Sequence, residues 1–153
     1  MKIASIVLYL IILSIYDIRS QKVPVMWLAA GSLAVVGTIT WEFLAVLEVS
    51  GSWQELWMVL WQGIGHELLL GCLPGLLMLG ACLITGRVGS ADGWVLLIVG
   101  SIVSYEQVMA AFGCSMILIA IVAGVLLILK KAGKNDRLPY LPFLTAAVVL
   151  VQL

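Results

Sequence analysis

Two aspartates in an otherwise apolar chain are the residues best suited to chemistry. Asp17 ends a long apolar run, within Tyr16–Arg19, and Asp92 begins another, within Gly89–Gly93. Ionisable residues in or beside membrane segments are commonly functional, because a charge is costly there. Two carboxyls held close together share a proton, so one can activate water while the other protonates a peptide carbonyl. The pair therefore favours aspartic proteolysis.

Each aspartate also has a simpler interpretation, as a charged helix end paired with a nearby arginine. Asp17 would pair with Arg19, and Asp92 with Arg87. The cost of a charge is small near the membrane boundary, so this interpretation stays open for each aspartate taken singly. A catalytic pair requires in addition that both aspartates lie on one side of the membrane.

The composition predicts the kind of element that must position these carboxyls. Hydrophobic residues make up 63% of the 153 residues and charged residues only 10%, with a mean hydropathy of +1.20. These values lie far outside those of soluble domains. A membrane-spanning helix needs about 20 mostly apolar residues, so the chain has room for about six spans. We expect an all-α integral membrane protein with one bundle, a single domain over residues 1–153.

Apolar runs between polar breaks indicate where the spans lie. Segment 42–64 differs from them, because its tryptophans recur every four residues and mark one face of a helix that we expect at the membrane interface, between spans two and three. Spans four and five run together, and a turn is expected at Tyr105–Gln107 or at Phe112–Gly113. The predicted spans are 2–17, 23–41, 65–85, 93–111, 112–129 and 139–153.

The basic residues predict which side of the membrane each loop occupies, since Lys and Arg in short loops stay on the cytoplasmic side. With six spans, three alternate loops fall on one side, and the loops between them carry Glu but no Lys or Arg. We therefore predict that both termini lie outside, and that Asp17 and Asp92 lie at the cytoplasmic face of the cell membrane. The three loops hold Arg19, Lys22, Arg87, Lys130, Lys131, Lys134 and Arg137.

Two motifs around the aspartates resemble those of the prepilin and preflagellin peptidases, which are membrane aspartic proteases of the GxGD type. The family's first motif is an aspartate at the end of helix one, then a basic stretch and a proline. Gly89–Asp92 is similar to the GxGD motif that opens helix four, with Ala91 in place of the second glycine. The first motif is matched by Asp17, Arg19, Lys22 and Pro24.

A third motif of the family, a proline-rich stretch opening the last helix, is similar to Leu138–Phe143, with Pro139 and Pro142. The order, spacing and sidedness of all three motifs agree with the family. Taken alone, each proline is also explained by the first turn of a helix, where proline is tolerated.

The resemblance implies a function and a catalytic pair. Asp17 and Asp92 would activate water to remove the leader peptide of type IV prepilin-like or pseudopilin precursors, cutting after a glycine at the cytoplasmic membrane boundary. The partners would be the precursor and the lipid bilayer, without nucleic acid. Many family members also methylate the new N-terminus through an insertion bearing paired CxxC motifs, which this sequence lacks. We therefore expect no methyltransferase activity, no cofactor and no metal.

The remaining polar residues within the apolar runs have structural interpretations. Cys72, Cys82 and Cys114 stand singly and are read as buried spectators. One histidine cannot build a zinc site, so His66 and Glu67 are also read as structural.

Two alternatives compete with the prepilin-type peptidase. A presenilin-like protease would have a similar motif order but nine spans, and its aspartates would lie in late helices. From a different class, the chain could be a small transporter, a channel or a non-catalytic membrane assembly factor whose intramembrane aspartates bind ions or protons. The location of both aspartates at one membrane boundary favours the protease, because a conduction pathway would place polar groups across the bilayer.

Overall fold

The computed structural model describes residues 2–20, 23–49, 52–85, 89–129 and 138–152. Every regular element in these ranges is a helix, so the predicted all-α class is confirmed there. A π-helical segment, Leu60–Gly65, joins the third helix to the fourth without a break. The α-helices are α1 Lys2–Ser20, α2 Val25–Val49, α3 Trp53–Val59, α4 His66–Thr85, α5 Ser90–Gly100, α6 Tyr105–Ile128 and α7 Leu141–Gln152.

Within the described residues, three helices are long and apolar enough to cross a membrane, namely Val25–Glu48, His66–Thr85 and Tyr105–Ile128. Few of their residues are buried, as expected for helices surrounded by lipid. The apolar helices α5 and α7 are shorter and rise only about 17–18 Å, against a hydrocarbon core about 30 Å thick. The three long helices indicate a membrane protein.

The chain divides into two compact units. We call Pro24–Glu106 the central unit, and Met1–Val23 together with Gln107–Leu153 the terminal unit. The single domain predicted over residues 1–153 stays a prediction.

In the terminal unit, α1 packs against α7. The two helices bury leucines spaced three residues apart, Leu10 and Leu13 on α1 and Leu141 and Leu144 on α7, each at most 1% exposed. This spacing keeps the leucines of each helix on one face. The Thr145 hydroxyl of α7 also contacts the Leu10 carbonyl of α1 at 3.3 Å. The apolar pattern at the two ends of the chain thus produces one helix pair.

In the central unit, glycines allow α4 and α5 to pack closely as an antiparallel pair. A methyl group on Gly71 would collide with the Gly100 carbonyl, and one on Gly100 with the Gly71 carbonyl. One turn further along α4, a Cβ on Gly75 would lie 2.7 Å from the Leu97 backbone nitrogen. Small residues at such positions let membrane helices approach backbone to backbone.

The turn between the fourth and fifth predicted spans lies at residues 101–104, just before the first of its two predicted positions. Tyr105–Gln107 opens α6, whereas Phe112–Gly113 lies inside that helix and is not a turn. The Glu67 carboxylate of α4 accepts a hydrogen bond from the Tyr105 N–H at 3.3 Å. A side chain from another helix therefore satisfies one of the free N–H groups at the start of α6.

The tryptophan-rich segment is shorter than predicted, because α2 continues past residue 41 as far as Val49. Ser52 then caps α3, its hydroxyl accepting the Glu55 N–H at 3.3 Å. The face that the three tryptophans mark is exposed, with 78%, 68% and 65% of Trp53, Trp57 and Trp61 accessible. A location of this face at the membrane interface stays a prediction.

Candidate functional site

Asp17 lies near the end of α1, where it joins two of the three sequence motifs. Its side chain is only 7% exposed. One carboxylate oxygen, Oδ2, accepts a hydrogen bond from the Leu141 N–H at 3.2 Å, and the Tyr140 backbone is a second hydrogen-bonding partner. The first motif and the proline-rich motif, which are 124 residues apart, therefore meet within the terminal unit.

The proline-rich motif shows why the start of α7 needs a hydrogen-bond acceptor from another helix, which Asp17 supplies. The first N–H groups of a helix have no partner inside that helix, and the helix dipole favours a negative charge there. Leu141 is the first residue of α7, and Pro142 after it has no N–H. The next two N–H groups, of Phe143 and Leu144, both reach the Tyr140 carbonyl at 3.1 Å. Asp17 thus caps α7 from another helix.

This geometry differs from a simple pairing of Asp17 with Arg19. Arg19 is exposed, whereas Asp17 is buried, and residues two apart on a helix do not face each other. The buried carboxyl points to the first turn of α7 instead. Pro24, further along the same motif, directly precedes α2, and its carbonyl accepts the Trp27 N–H at 3.0 Å. Lys22 and Arg87 lie outside the described residues.

Beside Asp17, the terminal unit contains a buried pair of hydroxyls that sequence reasoning missed. The Ser115 and Tyr140 oxygens lie 3.0 Å apart, and these residues are 0% and 5% exposed. Tyr140 stands between the two prolines of the third motif, which was the available signal. Ser115 is a single hydroxyl in a long apolar run, and its role depends on which helix packs against it.

Asp92 lies in the first turn of α5 and is half-buried. The preceding Gly89 is extended, with φ −68° and ψ 129°, and its carbonyl accepts the Asp92 N–H at 3.2 Å. A Cβ on Gly89 would lie 3.0 Å from the carboxylate oxygen Oδ2 of Asp92. Gly89 therefore leaves space beside the carboxylate of Asp92, and its φ is not positive.

Ala91 replaces the second glycine of the GxGD pattern. It lies inside α5, where the backbone has ordinary right-handed helical geometry. Alanine is the residue most favourable to such geometry, whereas glycine is about 1 kcal/mol less favourable. The substitution therefore fits the local backbone without strain.

The two aspartates belong to different units, Asp17 to the terminal unit and Asp92 to the central unit. The structure thus brings Asp17 together with the proline-rich motif, and Asp92 together with Gly89. A direct meeting of the two carboxyls stays a prediction.

The remaining polar groups of the central unit have structural contacts. The His66 ring packs edge-on against Tyr105, with centroids 6.4 Å apart, next to the bond from Glu67 to the same residue. Both residues therefore contact the first residue of α6. Among the described residues, no cluster of His, Cys, Asp and Glu could hold a metal ion. The free cysteines are half-buried in both units, Cys72 and Cys82 in the central unit and Cys114 in the terminal unit.

Comparison of the chain with protein-family models, with curated proteins and with solved structures finds no match. The resemblance to prepilin peptidases therefore depends on the three sequence motifs alone.

Proposed function

We propose that this chain is a membrane aspartic endopeptidase that removes the leader peptide from type IV prepilin-like precursors. One observation supports the proposal most strongly. The buried Asp17 carboxylate accepts a hydrogen bond from the first N–H of α7, directly after Pro139 and Tyr140. A buried carboxylate between two distant motifs is the arrangement expected of a residue whose position matters for chemistry. Asp92 supports the proposal, because Gly89 leaves its carboxylate the space that a larger residue would occupy.

In this proposal, Asp17 and Asp92 share one proton and act together on a single peptide bond. The ionised carboxyl takes a proton from water, whose oxygen attacks the scissile carbonyl. The protonated carboxyl donates its proton to the carbonyl oxygen, which gives a tetrahedral intermediate with two hydroxyls on the carbon. When the C–N bond breaks, the carboxyl that took the proton from water gives it to the leaving nitrogen, and one hydroxyl returns its proton to the other carboxyl, so that the shared-proton pair is restored. Because the two groups titrate as a unit, neither role is assigned to one residue.

The proposed substrate explains why the site needs no deep cavity. A precursor anchored by its own apolar helix would present its scissile bond at the membrane boundary. We place the two aspartates at that boundary, on the cytoplasmic face of the cell membrane, with six spans, both termini outside and the tryptophan face at the opposite interface. The reaction needs water and two carboxyls but no metal or methyl donor.

The direct test is to co-express the chain with a tagged prepilin-like precursor and to follow the size of the precursor. We expect cleavage by the native chain and none by Asp17→Asn or Asp92→Asn, because asparagine keeps the shape of the side chain but removes the titratable proton. Asp136→Asn is the matched control, since Asp136 is the third aspartate of the chain and lies outside the three motifs. It should cleave like the native chain.

The membrane level of each variant is measured in parallel, so that a loss of cleavage is separated from a loss of protein. Failure of the native chain to cleave several precursors would overturn the proposal and favour a transporter or a non-catalytic assembly factor. Full cleavage by either motif variant would also contradict it.

A further inference from the structure

The buried hydroxyls of Ser115 and Tyr140 have a defined direction of hydrogen bonding. The Ser115 hydroxyl lies 2.8 Å from the Phe112 carbonyl, which can only accept, and 3.0 Å from the Tyr140 hydroxyl. A serine hydroxyl has one hydrogen. Both contacts are satisfied when Ser115 donates to Phe112 and Tyr140 donates to Ser115. The tip of the Tyr140 ring is therefore tied to the backbone of α6.

The backbone of the same tyrosine lies against Asp17. Tyr140 precedes the residue whose N–H binds the Asp17 carboxylate, and its own backbone is the second partner of that carboxyl. Its carbonyl also accepts the first N–H groups inside α7. The Tyr140 hydroxyl thus contacts Ser115 of α6, while the Tyr140 backbone contacts the Asp17 carboxyl of α1.

We propose that Tyr140 and Ser115 are positioning residues for Asp17. This inference rests on the proposed peptidase function and adds residues to its machinery. The ring fixes the peptide between Tyr140 and Leu141, and that peptide fixes the carboxyl. A carboxyl that must share a proton and direct water works only within a narrow range of positions, and a displacement of about 1 Å can reduce a rate up to about a hundredfold.

Tyr140→Phe and Ser115→Ala remove opposite halves of one hydrogen bond, and each leaves the rest of the core in place. Each variant should lower kcat for precursor cleavage by about tenfold with KM changed less than about twofold, because the substrate still binds while the carboxyl is misplaced. The double variant should be no slower than the slower single variant, because both changes break the same contact.

Two matched controls have hydroxyls away from this contact. Tyr105→Phe removes a hydroxyl that lies 3.4 Å from the neighbouring Glu106 carboxylate, and Ser32→Ala removes one bonded to the Leu28 carbonyl within α2. Both should cleave like the native chain. Thermal unfolding of every variant in detergent shows whether each has folded.

A second readout needs no substrate. Infrared spectra of the native protein and of Asp17→Asn identify the carboxyl stretching bands of Asp17. These bands should shift in Tyr140→Phe and in Ser115→Ala, because the peptide that binds the carboxyl has moved, and should stay in place in both controls. Bands that remain unmoved in both folded hydroxyl variants overturn the inference, whatever the cleavage rates.

The two readouts also separate failure of this inference from failure of the proposed function. If the native chain cleaves no precursor, the result contradicts the proposed peptidase function. The infrared bands still test whether the two hydroxyls fix the peptide that binds the Asp17 carboxyl. If the native chain cleaves and both hydroxyl variants keep kcat within about twofold of native, the result contradicts the positioning role and supports the peptidase function.

Discussion

Asp17 combines burial with two backbone hydrogen bonds, and this combination makes a charged carboxyl acceptable in an apolar protein. Removing a carboxylate from water is costly unless donors replace the lost water. The Leu141 N–H and the Tyr140 backbone supply such contacts, at a helix start whose dipole favours negative charge. The same contacts fix the carboxyl in place, which an exposed helix-end charge would not require.

A change at Gly89 tests whether the carboxylate of Asp92 needs the space beside it. Gly89→Ala places a Cβ 3.0 Å from Oδ2 of Asp92, so the carboxylate has to move by a few tenths of an ångström. We expect cleavage to slow about tenfold through misplacement of a reacting group. The measurement is the rate of precursor cleavage at equal membrane levels of each protein.

Gly80→Ala provides the control for Gly89→Ala, because a Cβ at Gly80 would meet nothing within 4 Å. It should leave the cleavage rate unchanged. Equal rates for the two alanine variants would show that Asp92 does not depend on the space at Gly89.

For single residues, the sequence could single out candidates but could not predict the contacts that they make. Asp17, Gly89 and Pro139 could be singled out from motif order and from the cost of a charge in an apolar chain. The bond to Leu141 could not, because it joins residues 124 positions apart and depends on how α1 packs against α7. Ser115 gave no local signal for the same reason.

The helix pair α4 and α5 supports the motif that contains Asp92. Its two backbones approach so closely at Gly71 and Gly100 that neither position has room for a side chain. α5 begins at Ser90, directly after Gly89, so any displacement of this helix also displaces the first turn that contains Asp92. We therefore expect the glycines of α4 to affect the position of Asp92 through packing.

Gly71→Ala tests the contribution of this close approach. Its added methyl group would collide with the Gly100 carbonyl, and the pair would have to separate. We expect the free energy of unfolding to fall by about 1–3 kcal/mol, as for other overpacked cores. The midpoint of thermal unfolding in detergent, followed by circular dichroism, measures the change.

Gly80→Ala, on the same helix, should unfold at or above the native temperature, because alanine stabilises a helix where space is open. A midpoint for Gly71→Ala as high as that of Gly80→Ala would contradict the close packing of α4 and α5.

The existence of the helices could be predicted from apolar runs, whereas several of their ends could not. The turn before α6 involves Glu67, which lies 38 residues away and accepts the Tyr105 N–H. α2 continues past residue 41 because the polar Glu42 does not break a helix. The segment Leu60–Gly65 is a π-helix, so the tryptophan-rich helix α3 continues into α4 without a break. Polar residues show where the hydropathy falls, but a helix ends only where the backbone leaves helical dihedral angles.

For the whole molecule, composition predicted the membrane character, and three long apolar helices agree with it. The six-span topology depends on the positive charges of short loops, and most of those residues lie outside the described ranges. The proposed chemistry requires Asp17 of the terminal unit and Asp92 of the central unit to act on one bond. Sequence supplies that pairing only through sidedness and resemblance.

The measurement that tests this pairing most directly is a double-mutant cycle on purified protein in lipid vesicles. The rate of precursor cleavage is compared among the native chain, Asp17→Asn, Asp92→Asn and the double variant. Each single change should reduce kcat by at least about a thousandfold, and the double change should cost no more than either, because the two carboxyls act as one unit. A double variant whose loss is the product of two independent losses, or a single variant with native activity, would contradict a shared catalytic pair.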